Sequence, residues 1–403
     1  MFSAIKSNLC EIGFVLMFLA TSIAQIIRLY TGKDNSASPI IMVLSLVLIT
    51  RFKNRIRLNK YMILVFVYQV YILLIAMMAK KGVYEGNGLI YTLFVLAMIM
   101  VLSTVTEING DTLVSWMWGV SGLANVLLSL YFLTNNFETI NIIYSGDVII
   151  AERVTLATLA YMHVIASLVF KAKNKRSVVI KLIFILCAFY NIVITMRRGM
   201  FIALIIIFAL HIYLGSSVKI KSQRLLRNLF IVLIIALICT QIPYVSKQLD
   251  KIMESVQASL NSFMGNEGTD ASTVARANAR ARILNDMNSF KFKDWLFGKG
   301  YNAGWIDFPF LQAFYDMGIV GGIIFILAQT YLPFRFFFIK GKNMARYQKM
   351  LFYLYIITFT NNFYSGTPYG YIKYIFVLPF YMDWAVNAGS VHRIKMSQTM
   401  EHF

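Results

Sequence analysis

Apolar runs of about 17–22 residues recur from one end of the 403-residue chain to the other, each near the length a helix needs to cross about 30 Å of hydrocarbon. In hydrocarbon every backbone polar group must be satisfied within the segment or by a neighbour, so runs of this kind fold as helices. Composition agrees: 59% of residues are hydrophobic and only 14% charged, against roughly a quarter charged in an ordinary soluble domain. The predicted class is an all-α polytopic membrane protein with about twelve transmembrane helices. Spans are placed near 10–30, 37–50, 61–79, 88–104, 112–133, 153–170, 177–195, 199–214, 228–243, 308–332, 347–364 and 368–386.

The net charge of +20 raises the question of a nucleic-acid partner, which its distribution answers in the negative. Cations cluster in alternate short loops, as topology signals do. One set of loops and tails carries 21 Lys and Arg, including Arg51 to Lys60, Lys171 to Arg176, Lys219 to Arg227 and Arg335 to Lys349. The other set's short loops and span ends carry seven: Arg28, Lys33, Lys80, Lys81, Arg153, Arg197 and Arg198. The first set is read as cytoplasmic, which puts both termini inside. Cys10, Cys187 and Cys239 lie in or beside apolar runs at unrelated spacings and read as small hydrophobes. The run from Cys10 to Tyr30 reads as a retained span.

Three regions follow: residues 1–242 with spans one to nine, residues 243–306 as one large periplasmic or extracellular loop, and residues 307–403 with the last three spans and a short cytoplasmic tail. The loop's first half carries Val245, Leu249, Ile252, Met253, Val256, Leu260 and Phe263 at helical spacing, an amphipathic helix suited to the bilayer surface. After a break at Gly265 to Gly268, Ser272 or Thr273 is positioned to cap a second helix running to about Ser289. The chain shows no obvious internal repeat and no soluble domain.

Cations on the outer side run against the positive-inside bias, which makes them informative. Arg197 and Arg198 close the seventh span, as a snorkelling anchor pair or an anion site. Arg276 and Arg280 lie about 40° apart on a helical wheel, on a stripe shared with Ile283 and Met287. Arg282 points elsewhere, in register to pair with Asp286. Asp307 stands at the start of the tenth span, either as its N-cap or as a base that takes a proton from a hydroxyl. Asp316 lies deeper in the same span, a functional acid or the partner of Lys373. Glu152 and Arg153 form another pair at that edge. Gly318, Gly321 and Gly322 read as close-packing positions. The sequence holds no Walker-type phosphate loop, and its outer loops hold no Asp-x-Asp or His/Cys cluster, so no metal or other cofactor is expected.

Three stretches resemble the O-antigen polymerase (Wzy) and O-antigen ligase superfamily of bacterial envelope glycosyltransferases. TMRRGMFIALI (195–205) is similar to that family's Ser-Arg-Gly step between central spans, with Arg197 in the Ser position. ARARILNDMNSFKFKDWLFGKGYN resembles its loop arginine followed by Phe-Gly-x-Gly, without choosing between Arg280 and Arg282. DFPFLQAFYDMGIVGGIIFI resembles the start of the next span, with Asp307 where ligases carry His and Phe308 in place of Asn, which leans toward a polymerase. The resemblance implies a multi-pass protein of the bacterial cytoplasmic (inner) membrane. It implies metal-independent polymerisation of undecaprenyl-pyrophosphate-linked oligosaccharide repeat units into O-antigen or capsular polysaccharide. Implied partners are that lipid-linked donor, membrane lipids and a chain-length regulator, with no nucleic acid. The expected pyrophosphate ligands are Arg197, Arg198, Arg276, Arg280 and Arg282, with Asp307 as general base. The alternatives are an O-antigen ligase, or a lipid-linked oligosaccharide flippase or transporter; a non-catalytic assembly subunit is a further possibility.

Overall fold

A computed structural model describes residues 8–32, 37–50, 58–78, 87–105, 108–135, 153–195, 198–215, 271–304, 306–340, 343–363 and 366–382. Within them the chain is helical, with no strand among the described residues. In order come α1 (Leu9–Thr31), α2 (Ala37–Ile49), α3 (Lys60–Met78), α4 (Asn87–Ser103), α5 (Gly110–Thr134), α6 (Arg153–Val169), α7 (Lys175–Thr195) and α8 (Arg198–Gly215). After them stand α9 (Ala271–Asn288), α10 (Phe292–Phe297), α11 (Pro309–Ile326), a π-turn (Leu327–Tyr331), α12 (Leu332–Lys340) and α13 (Arg346–Asn361). A 3₁₀ turn at Tyr371–Lys373 leads into a last helical stretch, 377–382.

Helical structure occupies every predicted span except 228–243, which lies outside the described residues, as does the amphipathic helix expected around 245–263. Among the described residues five helices are long and apolar enough to cross a membrane: Leu9–Thr31, Lys60–Met77, Gly110–Thr134, Lys175–Thr195 and the composite Pro309–Ile339. Shorter apolar helices include Ala37–Ile49, Ile90–Ser103, Val154–Val169, Ile202–Leu214 and Tyr371–Met382. Their sides divide as a bilayer requires. α7 exposes Val178, Val179, Leu182, Ile183 and Leu186 on one side, while Ala188, Asn191, Ile192 and Thr195 are buried. A water-soluble fold would not leave that apolar stripe bare.

Local chemistry sets the helix ends. α1 stops at Gly32, whose φ of 64° is open to glycine and whose N–H reaches back to the Arg28 carbonyl. α5 starts behind Asn109, whose side chain accepts the Thr112 N–H, while the Asn109 N–H donates to Glu11 at 2.8 Å and ties α5 to α1. α1, α5, α6 and α7 pack together, with α13 against α5 and α6, and α8 against α13. α3 packs on both α4 and α11.

The predicted tenth span, 308–332, is not one helix. It is broken at Gly318 (φ 66°, ψ −170°) and again by the π-turn, and it runs on to Lys340. Each break frees backbone carbonyls that need new donors. At the first, Lys299 N donates to the Tyr315 carbonyl (2.9 Å), Gly300 N to that of Asp316 (3.0 Å) and Tyr71 Oη to that of Met317 (2.9 Å). At the second, Pro333 has no N–H for the Gln329 carbonyl four residues back. Tyr355 Oη donates to that oxygen at 2.6 Å, and Tyr381 Oη donates to the Ala328 carbonyl.

Candidate functional site

α9 brings the loop arginines to the α11 terminus. Its apolar stripe is the one expected: Ile283 is buried with Phe290, Ile306 and Tyr315, and Ala279 and Met287 pack on them. The same rotation presents Arg276 and Arg280 to the segment before α11. The helix already includes Ala271, so Ser272 and Thr273 lie inside it and are not its caps.

Asp307 is a correction to the capping alternative. The N-cap of α11 is Phe308, with Pro309 at the first helical position, where a missing N–H costs nothing. That frees the Asp307 carboxylate, and a φ of 51° swings its backbone through a left-handed step. Arg276 Nε meets Asp307 Oδ2 at 3.4 Å, and Gly366 N donates to Oδ1 at 3.2 Å. Arg280 lies alongside. Its Nη2 donates to the Phe363 carbonyl at 3.2 Å, and its guanidinium sits 4.8 Å from the centre of the Phe308 ring. Its Nε is buried and has no hydrogen-bond partner. Burial and the neighbouring Arg276 hold the Arg280 pKa below the usual arginine range, with Asp307 opposing them. The group is still a cation at neutral pH.

Lys373, buried at the start of the last helical stretch, joins this cluster. A Cβ on Gly366 would lie 3.7 Å from its Nζ, which places this amine beside the turn whose Gly366 N–H holds Asp307. The anticipated partnership of Lys373 with Asp316 gives way to another arrangement. Asp316 is fully buried and is met by neutral donors: Tyr369 Oη at 2.5 Å, Gln312 Nε2 at 3.1 Å and Gly304 N at 3.2 Å. Tyr369 Oη in turn accepts the Asn302 N–H, and Gln312 reaches the Asn302 side chain. Asp316 thus ties residues 302–304 to the half-helix that begins just after Asp307, and its role here is to position.

The Gly298-Lys299-Gly300 turn completes that fastening. Gly298 has a φ of 77°, and a Cβ there would fall 2.3 Å from the Asp316 carbonyl. A Cβ on Gly318 would fall as close to the Leu296 carbonyl. Loop and broken helix therefore meet backbone to backbone, which only glycine allows. Gly318 is a packing glycine as expected, but its neighbour is a loop and its φ a helix break.

Of the remaining predicted site residues, only Arg282 has a described side chain, and it stands apart from this cluster. Arg282 is exposed, and the Asp286 carboxylate predicted to pair with it accepts instead from Tyr315 Oη at 3.2 Å. Arg197 and Glu152 lie outside the described residues; Arg198 and Arg153 begin α8 and α6, with their side chains outside the description. His163 is buried between Ser121 and Ser167, and His211 contacts Tyr353. Among the described residues no group of three His, Cys, Asp or Glu could hold a metal ion. Sequence reasoning noted Phe308 only as a departure from the family pattern, missed Gly366 and Tyr369, which carry no motif, and gave Lys373 a different partner. The paired glycines 298 and 300 were the available signal for the loop. No protein-family model matches the sequence, and no curated protein matches it significantly.

Proposed function

We propose that the chain polymerises undecaprenyl-pyrophosphate-linked oligosaccharide repeat units on the outer face of the bacterial cytoplasmic membrane, building O-antigen or capsular polysaccharide. In this reading the chain crosses the membrane about twelve times, with both termini in the cytoplasm. The cation count assigns the loop bearing α9 and α10 to the outer side.

The observation that carries the reading is the Arg276–Arg280–Asp307 cluster with its open Arg280 Nε. A guanidinium fork suits a phosphate oxygen, and a buried N–H without a protein partner has a donor to offer a ligand. In the reaction, the bond between the donor sugar's anomeric carbon and its diphosphate oxygen breaks. A new bond to the acceptor hydroxyl oxygen forms, and the hydroxyl proton leaves. Arg276 and Arg280, with Arg198 or Arg197 as further cations, neutralise the charge that develops on the diphosphate. Asp307, steadied by the Gly366 amide, takes the proton.

Incubation of the purified protein with lipid-linked repeat units, without nucleotide or added metal, tests this. A ladder of products is expected. Transfer of one finished chain to a different acceptor would identify a ligase, and movement of donor across vesicles without bond formation would identify a flippase.

A further inference from the structure

α10 is the least expected surface of the described outer segment. In six residues it exposes Phe292 (80%), Trp295 (41%) and Phe297 (43%), flanked by the exposed Lys291 and Lys293. Three aromatic side chains in water are unfavourable, at roughly 25 cal/mol per Å² of apolar surface. Aromatic rings interleaved with lysines suit the boundary where acyl chains meet charged head groups.

The height of α10 is fixed by what lies behind it. Residues 296–300 are in backbone contact with Asp316 and Gly318 at the break in α11. Beyond the break, residues 319–340 run helically for about 33 Å at 1.5 Å per residue, enough by themselves to span the hydrocarbon. Arg335 and Lys340 stand near the far end. The break therefore falls at a membrane edge, and α10, clamped to it, sits at the level of the lipid head groups.

We propose that α10 inserts Phe292, Trp295 and Phe297 into the head-group region of an anionic leaflet and anchors the arginine helix α9 on the lipid surface. Trp295 packs edge-on against Phe290 (ring centres 5.5 Å apart), and Phe290 belongs to the cluster that holds Ile283 of α9. Anchoring α10 thus sets the height of Arg276 and Arg280. A glycan-stacking platform is the competing use of exposed aromatics. The one carboxylate on α10, Asp294, is already engaged by the Lys291 N–H and the Lys299 ammonium, and this, with the rings' place at the membrane edge, favours lipid. The lipid contact stands on exposure and position alone; its value for catalysis rests on the reading proposed above.

The full-length protein in lipid nanodiscs tests the contact. Tryptophan emission is compared between the wild type and Trp295→Phe, and the difference isolates Trp295. Phosphatidylcholine brominated near the carbonyl end of its chains should quench most of that difference, while aqueous acrylamide should quench little of it. Quenching by acrylamide and not by brominated lipid would overturn the proposal. So would a response of Trp295 to added oligosaccharide without lipid quenching, which would identify a glycan platform. Quenching should be stronger with phosphatidylglycerol present, and Lys291→Gln/Lys293→Gln should abolish that difference; equal quenching of the wild type in both lipids would overturn the anionic preference. No donor is present in these measurements, so a failed ladder assay with intact lipid quenching would sink the polymerase alone.

Discussion

Two of the polar side-chain groups among the described residues are completed differently. Between α5, α6 and α7 runs a ladder in which each named side chain answers the next. Ser167 meets His163 Nε2 (3.1 Å) and Ser121 meets His163 Nδ1 (2.9 Å). Asn125 donates to the Ser121 carbonyl and accepts from Asn191 (both 2.9 Å), and Ser129 donates to Asn191 at 3.1 Å. At the α11 terminus, by contrast, Arg276 and Asp307 are partly exposed (41% and 25%), and Arg280 keeps a buried N–H with no partner. A ladder closed on itself joins helices where lipid offers no hydrogen bonds. A cluster left open keeps donors for something that is not protein.

If that contrast is right, Arg280→Ala should have the largest functional effect. Chain growth should fall by about 10²–10³-fold, the usual loss for one charge-stabilising donor, while the melting temperature barely moves. A large drop in melting temperature would return Arg280 to the structural group. Gly318→Ala should act in the opposite sense. It should lose about 1–3 kcal/mol of stability from backbone strain alone, because φ 66° with ψ −170° is open essentially only to glycine. The close Leu296 carbonyl adds to that loss, which denaturant unfolding in detergent would measure.

Asn191→Leu, on the closed ladder, should cost about 0.6–2 kcal/mol by the same unfolding measurement and leave turnover per folded molecule unchanged. Lost turnover at full stability would erase the distinction drawn here. A double-mutant cycle on Arg276 and Asp307 should give only about 0.2–1 kcal/mol of coupling in stability, because the pair is partly solvated, whereas Asp307→Asn should slow product formation by about 10²-fold. The smallest effect belongs to Asp294. Its hydrogen bond with Lys299 holds its pKa below the usual carboxylate range. Its contribution is therefore present above the unfolded carboxylate pKa and lost as pH falls through the lowered value. Asp294→Asn should remove that acid-side dependence from a thermal melt recorded against pH.

Much of the fold was legible because apolar run length is a one-dimensional signal. The helices from Leu9 to Gly215 stand where the runs do. The pairing of Arg276 and Arg280 on a stripe with Ile283 was legible for the same reason, since 3.6-residue periodicity is local. The break at Gly318 was not. Its flanks, Met317 and Ile319, are as apolar as any helix interior, and the donors that permit it come from the 299–300 turn and from Tyr71. The Lys373 alternative for Asp316 failed likewise: an intramembrane acid suggested a charged partner, while Tyr369 lies 53 positions on and has no charge to reveal it. The Asp307 side chain escaped its capping role because Phe308 and Pro309 together moved the helix start by one residue.

The broken helix also determines which part of this assembly can move. Lifting the 298–304 loop would strip donors from the carbonyls of Tyr315 and Asp316 and take a backbone partner from the Asp316 side chain, beside hydrocarbon where no water replaces them. Among the described residues α9 is held more lightly, by a small apolar cluster around Ile283, the Tyr315–Asp286 contact and two partly solvated arginines. On the function proposed above, a substrate with a bulky lipid tail and a long glycan has to reach the cluster between these parts. The cheaper motion is a swing of α9 over a loop that behaves as a fixed sill.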